Sequence, residues 1–144
     1  MAALKTVMIT GASTGIGYAT AARLASKGWT VFAGVRKQAD AERLTAQLGD
    51  RVTPVMCDVT DADQVRAAGS TVRAALGEAA LSGLVNNAGV AVAGPLLHLP
   101  VEEMQRQLEI NVTGQLRVVQ AFAPLLGAGE DRGGPPGRIV NISS

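Results

Sequence analysis

The 144-residue sequence predicts an α/β fold, a doubly wound parallel sheet between two helical layers. Three observations predict it. Five short runs rich in Val and Ile punctuate the chain, stretches with helical spacing separate them, and many of the 17 glycines sit where an apolar run gives way to a helical one. Runs that are apolar throughout, rather than alternating, mark strands buried on both faces. Strict alternation of strand and helix is the pattern of a parallel sheet with right-handed crossovers.

The first strand is expected at residues 6–10, followed by a glycine-rich turn and a helix over 16–27 that Gly28 can stop. The second strand, at 30–35, leads to a helix over 39–48. The third, at 52–57, leads to a helix over 61–76, with Thr60 or Asp61 able to cap its first amides and Gly77 placed to end it. The fourth, at 81–85, precedes a loop and a long helix over 101–126, with Pro100 suited to its first turn. Val101, Met104, Leu108, Val112, Leu116 and Val119 recur at helical spacing in that helix and are expected to face the core. Residues 127–137, with their Gly-Gly-Pro-Pro segment, read as a surface loop before a fifth strand at 138–142. Neither a repeat nor a linker divides the chain, so residues 1–144 are expected to form one domain. A sheet whose chain stops just after a strand would be uncovered there, and the domain is expected to be incomplete at its C-terminus, truncated after the fifth strand.

Composition narrows the function. Thirteen Lys and Arg against twelve Asp and Glu leave a net charge of +1 with no basic run, so neither nucleic acid nor an anionic membrane is an expected partner. The charged fraction of 17% is low enough that much of the surface should be buried or covered. One cysteine, Cys57, excludes an internal disulfide, and the apolar run at the N-terminus is too short for a signal peptide or a membrane span; a cytoplasmic location is expected. His98 has no carboxylate or thiol at ligand spacing, so no metal site is expected. Cys57 reads as a small buried hydrophobe, and Asp61 and Asp63 as first-turn acids that complement a helix dipole.

The strongest local signal is Thr10-Gly11-Ala12-Ser13-Thr14-Gly15-Ile16-Gly17, between the first strand and the first helix. A helix amino end offers unpaired N–H groups and partial positive charge, and glycines at 11, 15 and 17 permit a tight turn, close approach of a phosphate and close packing of helix on strand. The run lacks the Gly-Lys-Ser/Thr ending of a triphosphate loop, which disfavours an ATPase or GTPase.

This turn, Asp58-Val59 after the third strand, Asn86-Asn87-Ala88-Gly89 after the fourth, Asn111 in the long helix and Asn141-Ile142-Ser143-Ser144 after the fifth occur in the order and spacing of the short-chain dehydrogenase/reductase family, which the whole sequence resembles. The resemblance implies a Rossmann-type three-layer α/β/α fold and an oxidoreductase that transfers hydride between NADP or NAD and an alcohol or carbonyl substrate. It implies that Gly11, Ser13, Thr14, Gly15, Ile16 and Gly17 hold the pyrophosphate and adenosine ribose and that Asp58 and Val59 meet the adenine. Asn86, Ala88 and Gly89 would line the nicotinamide-side ribose and brace the sheet.

Dinucleotide folds that take NAD usually carry an acid at the end of the second strand. Here Val35 stands at that position and Arg36 follows, so NADP is the favoured cofactor. By the same resemblance Ser144 would hydrogen-bond the substrate oxygen, with Ser143 beside it. Asn111 would sit at an irregularity of its helix and hold a water in the proton relay, which the poor helix formers Thr113 and Gly114 favour. The family's Tyr-x-x-x-Lys acid/base pair would lie beyond Ser144, and the sole tyrosine, Tyr18, follows the glycine turn, so the chain alone is expected to be inactive. The complete protein is expected to be a homo-oligomer built partly on the long helix. A non-catalytic NADP sensor on the same fold and a methyltransferase are the alternative readings; the Asn-Asn-Ala-Gly and Asn-Ile-Ser-Ser runs have no use in the latter.

Overall fold

The computed structural model describes residues 4–143. Strands β1 (Thr6–Ile9), β2 (Thr30–Val35), β3 (Val52–Met56), β4 (Gly83–Asn86) and β5 (Arg138–Asn141) form one sheet in the order β3-β2-β1-β4-β5. All four pairings are parallel. Helices α1 (Gly15–Ser26), α2 (Gln38–Leu48), α3 (Ala62–Leu76), α4 (Val101–Leu108) and α5 (Gly114–Phe122) complete the doubly wound α/β arrangement. Pro54, which has no N–H to give, lies on the edge strand β3, where a ladder bond is dispensable.

The central strand feeds both cores, because successive side chains of a strand point to opposite faces. Met8 packs with Phe32, Leu84, Val65, Val72, Val118 and Phe122, which joins α3 and α5 to one face. Val7 and Ile9 pack with Val31, Val35, Ala21 and Leu44, which joins α1 and α2 to the other. Strand β4 begins at Gly83, two residues later than expected, since the Leu81 N–H is drawn out of the ladder to the carbonyl of Leu125.

Helix ends follow from local chemistry. Asp61 is the N-cap of α3, accepting from the N–H groups of Asp63 and Gln64 at 3.0 and 3.1 Å, so it caps the helix and leaves Asp63 as the first-turn acid. The 127–137 loop is pinned to the end of α3: Arg132 donates to the carbonyls of Gly77 and Ala79 at 3.0 and 2.9 Å, and Glu130 bridges Arg73 and Arg132. No described helix is long and apolar enough to cross a membrane.

The long helix departs from expectation. It is four consecutive pieces: α4, a π turn at Glu109–Thr113, α5, and a 3₁₀ turn at Ala123–Leu126. The stripe expected to face the core faces outward instead, with Val101, Met104, Leu108, Val112 and Leu116 between 47% and 67% exposed; Val119 alone packs partly against the core. The inward side of α5 is Gly114, Val118 and Phe122. The stripe stays on one exposed face before and after the π turn, and helical spacing marks an apolar face without saying whether the core or something else covers it.

Candidate functional site

In an open parallel sheet the connections from neighbouring strands leave in opposite directions at the point where strand order reverses, which opens a crevice at the carboxyl ends. Here that point lies between β1 and β4. A cleft of about 630 Å³ opens there, walled by the glycine turn, the ends of β2 and β3, the segment after β4, and α4 with the π turn.

The glycine turn is shaped by steric need. Gly11 and Gly15 have φ of 62° and 58°, where a side chain is strained, and a Cβ on Gly11 would lie 2.9 Å from the Cα of Ala88. Gly17 is buried, and a Cβ there would press into the carbonyl oxygen of Gly11 and the side-chain nitrogen of Asn87. Gly11, Ser13, Thr14 and Ile16 line the cleft, whereas Gly15 and Gly17 lie outside its lining and shape the turn. The amino end of α1 has no side-chain cap and no acid in its first turn, so its N–H groups remain available to an anion in the cleft.

Asn87 stitches the turn to the opposite wall. Its side-chain nitrogen donates to the carbonyls of Thr10 and Gly11 at 3.1 and 3.0 Å, and the N–H groups of Asn87 and Ala88 both donate to the Thr10 hydroxyl at 3.0 Å. Asn86, expected to line the cleft, lies beneath it. It is 1% exposed and donates to the Asn141 side chain at 3.0 Å, bracing β4 against β5. Ala88 and Gly89 do line the cleft.

On the other side, Asp58 and Val59 form the wall after β3. The Asp58 carboxylate accepts from the Thr60 N–H at 2.9 Å and the Thr60 hydroxyl at 2.7 Å, which fixes the turn. Arg36 lines the cleft at the end of β2, exposed and with no hydrogen bond or ion pair among the described residues. Asn111 lies in the π turn, at the irregularity expected for it, and grips Val90 twice: its amide donates to the Val90 carbonyl at 2.8 Å and accepts from the Val90 N–H at 2.9 Å. Ser144 lies outside the described residues. Tyr18 packs against the α1–α2 core and donates to Gln47 at 3.2 Å.

Sequence reasoning passed over several wall residues: Asn87, although its run was recognised, and Cys57, Arg106, Glu109 and Ile110, for which periodicity holds no signal. It also passed over Arg43, which braces the glycine turn by donating to the Ser13 carbonyl at 2.6 Å while paired with Asp40 at 3.0 Å. Cys57 is 2% exposed, and burial first, then the Asp58 charge beside it, pushes its thiol up to about 12. The thiolate is the reactive form. In the native chain Cys57 is therefore expected to react with a disulfide reagent at pH 8 at least about a hundredfold more slowly than in urea; equal rates would contradict the buried placement.

Comparison with known proteins places these features in a family. A family model described as short chain dehydrogenase matches residues 5–144. An NADPH-dependent 3-dehydrocapnine reductase from Ornithobacterium rhinotracheale is 36% identical over 141 residues, covering 98% of this chain and 50% of that protein. A mitochondrial D-beta-hydroxybutyrate dehydrogenase from Rattus norvegicus is 36% identical, covering 97% of this chain and 41% of that one. Among solved structures, a short-chain dehydrogenase from Streptomyces avermitilis superposes with a TM-score of 0.85 at 31% identity, covering all of this chain and 50% of its own. The chain thus spans about half the length of the relatives it matches.

Proposed function

This chain belongs to the short-chain dehydrogenase family, and from that premise we propose that residues 1–144 are one dinucleotide-binding domain that seats NADP, with NAD as the weaker ligand, for an oxidoreductase acting on an alcohol, ketone or aldehyde. The observation that carries the reading is the glycine turn delivering the uncapped amino end of α1 into the cleft. The residues present fit a dinucleotide: a Cβ on Gly11 would press into Ala88 across the cradle, and the wall opposite is partly apolar at Val59 and Ile110.

In this reading Gly11, Ser13, Thr14 and Ile16 hold the pyrophosphate, and Gly15 and Gly17 give the turn its shape. Asp58 and Val59 border the adenine, Ala88 and Gly89 the second ribose, and Asn86 supports the sheet beneath. When bound, the nicotinamide group supplies or accepts the hydride. Asn111 and Ser144 are the chain's contribution to the proton relay and to the substrate oxygen. The preference for NADP rests on Arg36 next to Val35, since a free guanidinium can pair with a 2′-phosphate and no acid stands at that position to repel it. The printed name of one relative, an NADPH-dependent reductase, agrees. The outward apolar face of α4 and α5 supports a homo-oligomer.

Calorimetric titration of the chain with NADPH and NADH tests the reading. NADPH is expected to bind more tightly, and Arg36→Ser to weaken NADPH roughly tenfold while leaving NADH nearly unchanged. Because Tyr18 is the only tyrosine and lies away from the cleft, no turnover of ketones or aldehydes is expected from these 144 residues. Failure of both coenzymes to bind would overturn the proposal.

A further inference from the structure

Arg117 is not part of the cleft lining, yet it holds two of its walls. From α5 its Nη1 donates to the carbonyl oxygen of Val59 at 2.5 Å, and its Nη2 donates to Glu109 Oε1 at 2.9 Å. Val59 stands in the turn after β3 and Glu109 opens the π turn, and both line the cleft. The guanidinium thus ties the π turn to the turn after β3, where Val59 lies 58 positions before Arg117 itself.

The neighbouring contacts point the same way. Gly114, three positions before Arg117, receives the Val59 side chain so closely that a Cβ there would lie 2.7 Å from Val59 Cγ2. Val59 is therefore held twice by α5, through its side chain and through its carbonyl. The Arg117 side chain is 24% exposed, so its bonds form in a partly dry setting where charge-assisted hydrogen bonds are stronger than at the open surface. A guanidinium presents its donors in a rigid plane and can serve two acceptors at a fixed angle, which the single ammonium of a lysine does not.

We propose that Arg117 is a positioning residue for the adenosine side of the cleft: by gripping the Val59 carbonyl and the Glu109 carboxylate together, it sets the spacing between the turn after β3 and the π turn. This rests on the reading of the cleft as a dinucleotide site. The nicotinamide side has anchors of its own: the Ala88 N–H donates to the Thr10 hydroxyl, Asn111 holds Val90 from both sides, and none of these bonds is to Arg117.

The test is a titration of the 144-residue chain with NADPH, followed by nicotinamide fluorescence, and with ADP, followed by calorimetry. Wild type is compared with Arg117→Met, Arg117→Lys and Glu109→Gln. Arg117→Met is expected to weaken NADPH and ADP by the same factor, roughly tenfold, with the emission maximum of saturated NADPH unmoved. Arg117→Lys should restore only a small part of that loss. Glu109→Gln keeps an acceptor for Nη2 and removes only its charge, and it should weaken ADP about threefold. Unchanged ADP affinity in Arg117→Met would overturn the proposal, as would a shifted emission maximum, which would mean general loosening. If Arg117→Met does not fold, unchanged ADP affinity in Glu109→Gln overturns it. A wild-type chain that binds neither ligand would defeat the functional reading itself, a result distinct from equal binding by wild type and variants.

Discussion

Valine in place of Gly17 is expected to weaken NADPH binding by more than about a hundredfold and to destabilise the fold by roughly 2–3 kcal/mol. Position 17 is buried where the first turn of α1 meets the glycine turn and Asn87, and the groups a side chain would strike have nowhere to go. The Gly11 carbonyl is main chain in the middle of the turn. The Asn87 nitrogen is tied to both Thr10 and Gly11. The helix must therefore lift off the turn and Asn87, and its amino end then leaves the cleft. Ala19→Val, on the exposed side of the same helix, is the control for helix propensity alone and should leave binding intact. Coenzyme titration with urea unfolding of both variants decides the matter: Gly17→Val binding NADPH within tenfold of wild type would show that the turn does not depend on this contact.

Phe122→Ala is expected to cost about 3–5 kcal/mol, because the ring has no exposure and sits between α3, β4 and α5 in the larger core. Domains of this kind are stable by about 5–15 kcal/mol, so the variant should unfold at a much lower urea concentration or be partly unfolded without it. Phe122 does not itself line the cleft, so added NADPH should raise the variant's midpoint by about the same increment as for wild type. A loss under about 1 kcal/mol would mean that the surrounding side chains collapse into the space, contrary to the close packing expected there.

The strands were readable in order and nearly in extent: β1, β2 and β4 are buried along nearly their whole length, as their unbroken apolar runs imply, whereas the edge strand β3 is only partly buried and the edge strand β5 is exposed throughout, because no further strand flanks either one among the described residues. Asp61, Gly77 and the loop at 127–137 were readable for the same kind of local reason. What could not be read depends on distance and parity. A run of two asparagines does not say which one points at the cleft. That depends on where β4 ends: Asn86 is its last residue and turns inward, and Asn87 turns the other way. An apolar stripe says that a helix has such a face but not what covers it, and there are two here, one with Val118 and Phe122 of α5, the other with Val112 of the π turn and Leu116 of α5. Arg43 and Arg117 act on residues 30 and 58 positions away, and no periodicity records such bonds.

The π turn at Glu109–Thr113 also bears on how the gene can vary. Its extra residue is one codon triplet, and losing that triplet would let the backbone close into an ordinary helix. The change would nonetheless rotate α4 against α5 by about 100°. Asn111 would swing away from Val90, and Glu109 would part from Arg117. A single-residue deletion in this stretch is thus expected to dismantle these contacts at the cleft even where the core face of α5, with Gly114, Val118 and Phe122, is kept.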